Sequence, residues 1–268
     1  MKIFSLVLML ALLAGCARGP RIDTSHPSVN HDSRVQFVIL HYTSTGLESS
    51  LQLLTHGEVS SHYLIGDAPP TIYRLVDESR RAWHAGESEW EGRTWLNASS
   101  IGIELVNEGY EETPNGRVWY PYSEAQIDAL IVLLKDIVKR HNLEPRHILA
   151  HSDIAPPRKL DPGPLFPWKR LADAGLGVWP DAHAVAQQQA LFALKLPSIS
   201  WFQQELMSLG YATPQTGVLD AATRHVLAAF QLHYRPTRFD GEPDAQTAAL
   251  LLTLNRQLKP GLGHVPIS

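Results

Sequence analysis

The segment 147–163 carries side chains suited to binding a metal ion. It begins as an apolar run of strand type and turns at Pro156 into a loop that ends in Asp-Pro-Gly. We expect the strand to fix His151 and the proline-stiffened loop to bring Lys159 and Asp161 back over it. Imidazole nitrogen and carboxylate oxygen suit zinc, which keeps one position for water in catalytic sites. Because two ligands are too few, another part of the chain must supply a third.

His41 is the candidate for the third ligand. It ends the segment 35–41, a run of β-forming residues that is followed by a loop. A nearly continuous apolar strand is typical of a sheet covered on both faces, and sites lie at the ends of such strands. A lone histidine after a strand is commonly a structural residue. The distant pair His151 and Asp161 favours a ligand role for His41 instead.

Glu104 is the candidate for a general base. It lies in the predicted strand 100–107 between Ile103 and Leu105. A carboxylate in such surroundings is costly to bury unless it is paired or takes part in chemistry. A salt-bridged carboxylate at a sheet edge is the alternative interpretation.

The elements that must position these residues form an α/β pattern. Segments 60–66 and 71–76 are predicted as two paired strands. A helix begins at Ser123, where Ser-Glu-Ala-Gln is typical of a capping box, and its apolar residues recur at helical spacing through Val138. This helix leads into the strand that delivers His151. The order predicts a mixed central sheet flanked by helices.

The segment 81–95 is rich in tryptophan and predicts a loop near the site. Such a loop is suited to lining a groove for sugar or peptide, and we assign Trp83, His84 and Asn97 as candidate substrate contacts. The alternative is that these tryptophans only cover a core.

The N-terminus predicts export. Residues 3–13 are apolar, follow one positive charge, and precede Leu-Ala-Gly-Cys, which resembles a bacterial lipoprotein signal with a lipidated Cys16. The alternative is a plain signal peptide with an incidental cysteine. Since Ala17 follows rather than aspartate, the resemblance implies an outer-membrane lipoprotein facing the periplasm. Residues 17–33 are polar and predict a tether.

Composition limits the remaining function classes. The net charge of −4 and the lack of a basic run argue against nucleic acid as a partner. Cys16 is the only cysteine, which excludes a disulfide within the chain. The length predicts one mid-sized domain plus a small one, over residues 34–176 and 177–268, and we expect a monomer.

The final segment predicts helices with a weak internal repeat. Asp220 and Thr223 recur as Asp244 and Thr247, each pair at a predicted helix start. Together with Leu-Gly-Tyr at residues 209–211, this segment resembles a small three-helix peptidoglycan-binding domain. The alternative is a helical cap that only stabilises the larger domain.

Several segments taken together resemble the zinc-dependent N-acetylmuramoyl-L-alanine amidase family, which includes phage amidases and animal peptidoglycan recognition proteins. They are His41, Ala-Trp-His-Ala-Gly at 82–86, Ser-Ile-Gly-Ile-Glu-Leu at 100–105, His-Ser-Asp at 151–153 and Lys-Leu-Asp-Pro-Gly at 159–163. The resemblance covers nearly the whole chain after the tether.

The resemblance implies a role for each candidate residue. His41, His151 and Asp161 match the zinc ligands, Glu104 the catalytic acid, and Lys159 the lysine that stabilises the oxyanion. Phage members carry a tyrosine where this chain has Ser61, which shifts proton transfer to Glu104.

The resemblance also implies a substrate. The bond cut would be the amide between N-acetylmuramic acid, or its anhydro form, and L-alanine in peptidoglycan and muropeptides. A recognition protein that binds without cutting, and a zinc peptidase acting within the stem peptide, are the alternatives.

Overall fold

The computed structural model describes residues 19–156 and 158–259. Residues 19–32 belong to a first unit and contain no helix or strand; their side chains are exposed and form two short local hydrogen bonds. The predicted signal peptide and Cys16 lie outside the described residues. From Ser33 through Lys259, the last residue that the structure describes, the chain belongs to one compact unit, so the predicted boundary at residue 176 falls inside it.

The strands of a central five-stranded mixed sheet are β1 (Phe37–Tyr42), β2 (Tyr63–Ile65), β3 (Ile72–Arg74), β6 (Ser100–Leu105) and β9 (Ile148–Ala150). Their order in the sheet is β3-β2-β6-β1-β9. Strands β2, β6, β1 and β9 are parallel, and β3 pairs antiparallel with β2. The predicted mixed sheet is confirmed, with β2 and β3 shorter than predicted.

The described residues also form two small hairpins, separate from the central sheet, that the sequence analysis did not predict. They are Glu89–Trp90 (β4) with Arg93–Thr94 (β5), and Tyr110–Thr113 (β7) with Gly116–Trp119 (β8). Glu91 and Gly92 join β4 to β5 with φ of 49° and 74°. Two central residues with positive φ are typical of the tight turn that matches strand twist.

One face of the sheet packs against a long helix. Helix α1 is Leu47–His56 and α2 is Glu124–His141. The predicted cap of α2 is confirmed, because the Ser123 hydroxyl accepts the Gln126 N–H at 3.2 Å. The apolar residues that α2 and this face bury together include Val38, Leu40, Ile101, Ile103, Leu105, Ile127, Leu130 and Leu134.

The C-terminal helices cover the other face. They are α5 (Ala182–Leu194), α6 (Ile199–Leu209), α7 (Ala221–Tyr234) and α8 (Ala245–Leu258), preceded by the short helices α3 (His151–Ile154) and α4 (Trp168–Asp173). One buried core joins Phe37, Ile39 and Leu149 of the sheet to Phe202 and Phe230 of these helices. Among the described residues no helix is both long and apolar enough to cross a membrane.

The internal repeat predicted from the sequence is present in the structure as a repeated set of side-chain contacts. Asp220 caps α7 through the Thr223 N–H and Asp244 caps α8 through the Thr247 N–H, both at 2.8 Å. A buried glutamine of the preceding helix bonds each threonine hydroxyl: Gln203 at 2.8 Å and Gln231 at 3.1 Å. The three predicted helices therefore correspond to α6–α8, and α5 is an additional helix before them.

Candidate metal centre and active site

The three predicted ligands converge on one point. His41 lies near the end of β1, His151 begins α3 directly after β9, and Asp161 lies on the loop that follows. The His41 and His151 Nδ1 atoms are 2.9 Å apart, and each lies 3.0 Å from Asp161 Oδ2. All three residues are buried. The predicted strand that carries His151 ends one residue earlier, at Ala150, because the chain turns there into α3.

The partners of the outer ring nitrogens indicate what the inner atoms are suited to bind. His151 Nε2 lies 3.1 Å from the Ala85 carbonyl, an acceptor, so this nitrogen carries the proton. His41 Nε2 lies 3.1 Å from His84 Nδ1 and donates to it. Both Nδ1 atoms then present lone pairs to a carboxylate oxygen, an arrangement that a cation satisfies. Two imidazoles and one carboxylate with open positions fit zinc.

The charges of these residues agree with a ligand role. Burial, followed by the neighbouring His151, lowers the pKa of His41 to about 4, so its imidazole is neutral at pH 7. Burial would raise the pKa of Asp161, but the positive charge and N–H donors that His151 and His41 supply when protonated outweigh it and hold this pKa well below its usual range. Neutral imidazole and ionised carboxylate are the protonation states that bind metal ions.

His84 holds His41 through a chain of hydrogen bonds. Its Nδ1 accepts from His41, its Nε2 lies 3.1 Å from the Ser100 hydroxyl, and that hydroxyl donates to the Leu96 carbonyl at 2.6 Å. Each group donates once, so the chain fixes the tautomer of both rings. The His84 ring lies over Gly102, where an added Cβ would come within 2.4 Å of its Cγ. Glycine, which has no Cβ, is therefore required at position 102.

Glu104 lies beside the three ligands. It pairs with His41 in the parallel register of β6 and β1, so both side chains leave the same face of the sheet. Burial raises the pKa of Glu104 well above its usual value, Asp161 raises it further, and Lys159 opposes the shift. Its Oε2 is buried without a hydrogen-bond partner among the described residues. Because β6 lies between β1 and β2, the alternative of an edge carboxylate is wrong.

An open cleft of about 610 Å³ gives access to these groups. The three ligands, Glu104, Lys159, Trp83 and His84 all line it. The Trp83 side chain is half-exposed, and the Arg81 guanidinium lies 4.0 Å from the centre of its ring. By contrast Trp90 is buried against Tyr211, so the tryptophan-rich segment serves both the cleft and the core.

Asn97 does not line the cleft, unlike the other two predicted substrate contacts. Its buried Oδ1 accepts the backbone N–H groups of His84 at 3.0 Å and Ala85 at 2.7 Å. Asn97 therefore supports the loop that carries the His84 and Ala85 contacts to the ligands.

The sequence analysis missed the supporting roles of Ser100 and Gly102. They alternate with apolar residues ahead of Glu104 in Ser-Ile-Gly-Ile-Glu, which places all three on one face of β6. Small residues at that period beside a candidate base were the available signal for a side chain packed over the strand.

Comparison with known proteins gives consistent matches. Residues 31–164 match the family model described as N-acetylmuramoyl-L-alanine amidase, and residues 195–251 match the model of a peptidoglycan binding domain. The chain is 42% identical over 263 residues to the N-acetylmuramoyl-L-alanine amidase AmiD of Escherichia coli K12, covering 93% of this chain and 95% of AmiD.

Two solved structures are similar over most of their length. One is E. coli AmiD in complex with the substrate anhydro-N-acetylmuramic acid-L-Ala-D-γ-Glu-L-Lys, with a TM-score of 0.81, 40% identity, and coverage of 90% of this chain and 96% of that one. The other is Pseudomonas aeruginosa AmpDh3 in complex with anhydromuramic pentapeptide, with a TM-score of 0.82, 37% identity, and coverage of 90% and 99%.

Proposed function

Because the chain belongs to the N-acetylmuramoyl-L-alanine amidase family, we propose that it is a zinc-dependent hydrolase of peptidoglycan and its fragments. It cleaves the amide between N-acetylmuramic acid, including the anhydro form, and L-alanine. The observation that carries this proposal is the convergence of His41, His151 and Asp161 beside Glu104 in an open cleft. The muramyl peptides bound to the two similar structures support this substrate class.

His41, His151 and Asp161 would hold the metal ion through Nδ1, Nδ1 and Oδ2. When bound, zinc lowers the pKa of water toward neutrality and polarises a substrate carbonyl. The protein supplies a rigid donor set for it. His84 bonds the Nε2 atom of His41 and the Ala85 carbonyl bonds the Nε2 atom of His151, on the sides of the rings opposite the Nδ1 atoms. Because both rings are already oriented, the ligands need little rearrangement to bind the ion.

Glu104 and Lys159 are placed to move the proton and to stabilise charge. Glu104 accepts the proton of the attacking water and returns it to the leaving amine, a role worth about 100- to 10,000-fold in rate. Its raised pKa suits a group that holds the proton between these two steps. Lys159 lines the same cleft, where its ammonium donates to the oxyanion that develops on the carbonyl oxygen.

The test is cleavage of a defined muramyl peptide. The chain lacking residues 1–16 is incubated with anhydro-N-acetylmuramic acid-L-Ala-D-γ-Glu-L-Lys, with and without a chelator, and the products are identified by mass. We expect free tripeptide beginning with L-alanine, abolished by chelation and restored by zinc. Glu104→Gln is the matched control that keeps the ligands and removes the base.

The other outcomes separate the alternatives. Tight binding of the intact muramyl peptide without cleavage would identify a recognition protein and refute the proposal. A cut within the peptide, leaving L-alanine attached to the sugar, would identify a peptidase.

The proposal also includes a cellular location, which rests on the N-terminal sequence. Leu-Ala-Gly-Cys at 13–16 followed by Ala17 supports lipidation of Cys16 and anchoring at the outer membrane, facing the periplasm. Membrane fractionation of the full chain and of Cys16→Ala tests this, and a variant that stays in the outer-membrane fraction would refute it. Light scattering of the chain lacking residues 1–16 tests the expected monomer.

A further inference from the structure

The C-terminal helices reach the segment that carries a metal ligand. Asp153 is the third residue of α3, and its side chain is 1% exposed. Tyr211, which follows α6, donates its hydroxyl to Asp153 Oδ1 at 2.7 Å. His233 of α7 bonds Asp153 Oδ2 through Nδ1 at 2.8 Å. Both partners belong to the part of the chain predicted as a separate peptidoglycan-binding domain.

Both partners are held rigidly. The His233 ring is stacked between Trp168 of α4, with ring centres 3.9 Å apart, and Tyr234, at 4.2 Å. The Tyr211 ring packs against Trp90 at 4.7 Å. Side chains with one available orientation lose little entropy on forming a hydrogen bond, so these contacts fix the Asp153 carboxylate.

Asp153 in turn fixes the backbone around His151. Asp153 Oδ2 also accepts the backbone N–H of Ala150 at 2.8 Å. Ala150 is the residue before His151, so this bond closes a short loop of chain around the ligand and sets the direction in which α3 leaves β9. A carboxylate turned away from Ala150 would shift the backbone of His151 and, with it, the Nδ1 atom that faces His41 and Asp161.

From these contacts we propose that the C-terminal helices are a structural part of the metal centre, with Tyr211 and His233 as positioning residues that act on His151 through Asp153. This inference rests on the proposed function, because it needs the metal ion that the ligands are built to hold. It assigns to these helices a contribution to zinc affinity, whether or not they also bind the cell wall.

The test compares zinc affinities, measured by competition with a chromogenic chelator, for four variants of the chain lacking residues 1–16. His233→Phe keeps a ring between Trp168 and Tyr234 but removes the hydrogen bond. His233→Asn keeps a donor near the Nδ1 position but removes the stacked ring. Tyr211→Phe removes only the hydroxyl. Gln231→Leu is the control, since Gln231 makes equally buried bonds within the helices and none to α3.

We expect His233→Phe and Tyr211→Phe to weaken zinc binding roughly tenfold, the lower end of the effect of groups that orient metal ligands. His233→Asn and Gln231→Leu should stay within about threefold of the parent, although Gln231→Leu lowers the melting temperature of the metal-free protein. Parent-like affinity of both His233→Phe and Tyr211→Phe would overturn the inference, as would an equal loss in Gln231→Leu. A parent that binds no zinc would instead refute the proposed function.

Discussion

Replacing Gly102 by alanine tests whether His84 supports the metal site. The new Cβ would lie 2.4 Å from His84 Cγ, 2.6 Å from Nδ1 and 2.7 Å from Cδ2. Strand β6 cannot yield easily, because it is hydrogen-bonded to β1 on one side and β2 on the other. The ring of His84 must therefore move.

The size of the movement follows from contact distances. Carbon atoms in contact lie about 3.5–4.0 Å apart, so the ring must shift by about 1 Å or more. The bond from His41 Nε2 to His84 Nδ1 is 3.1 Å long and does not survive such a shift. We expect zinc affinity to fall about 10- to 100-fold, and overpacking to cost about 1–3 kcal/mol of folding free energy.

A double-mutant cycle with His84→Ala separates this mechanism from general strain. Zinc affinity is measured by chelator competition for Gly102→Ala, His84→Ala and the double variant, with thermal unfolding of each metal-free protein as the stability control. His84→Ala removes the atoms that the new Cβ meets, so adding Gly102→Ala should cost less than about threefold further in zinc affinity.

Two results would contradict the argument. Parent-like zinc affinity of both single variants would show that His84 does not orient His41. Losses that multiply in the double variant would show that position 102 affects the site by a route other than the His84 ring.

Three further substitutions test other residues. Lys159→Ala should lower kcat about 100-fold or more with zinc affinity unchanged, measured by steady-state cleavage. Asn97→Ala should lower the free energy of unfolding by about 2–4 kcal/mol by leaving two buried N–H groups unpaired, as denaturant titration would show. Glu78 follows β3 and is bonded by Arg140 and His141 at the end of α2. Although burial raises the pKa of the Glu78 carboxyl group, the bonds from Arg140 and His141 lower it from 4.5 to about 2. The ionised Glu78 carboxylate therefore contributes its full share to the free energy of unfolding above about pH 4.5 and loses it toward pH 2. Glu78→Gln should remove this pH-dependent contribution, roughly 1–2 kcal/mol after solvent screening, as unfolding measured across this pH range would show.

The convergence of His41 and His151 was predictable because strand ends and residue chemistry are local signals. His41 follows an apolar run of period and composition typical of a buried strand, and His151 follows another. Parallel strands gather their C-terminal ends at one edge, so the two histidines had to lie close if both runs joined the same sheet. The structure places β1 and β9 side by side, which brings them together.

The supporting contacts were not predictable from the same signals. Asn97 was assigned to substrate because it lies near the tryptophan-rich segment, but its position beneath the loop depends on the turn that follows β5. His84 was also assigned to substrate, and its contact with His41 depends on how that loop folds over β6. The hydrogen bond between Tyr211 and Asp153 joins two distant segments, and neither segment carries a local sequence pattern that predicts the contact.

The alternation of side chains in β1 explains why the helices and the site are coupled. Val38 and Leu40 face α2, whereas Phe37 and Ile39 enter the core shared with the C-terminal helices. Because side chains alternate, His41 leaves the sheet on the same side as Phe37 and Ile39. The face that packs on the helices thus continues directly into the metal site. A separately tethered module would leave Phe37 and Ile39 in water, so burial of this face holds the helices where they can reach Asp153.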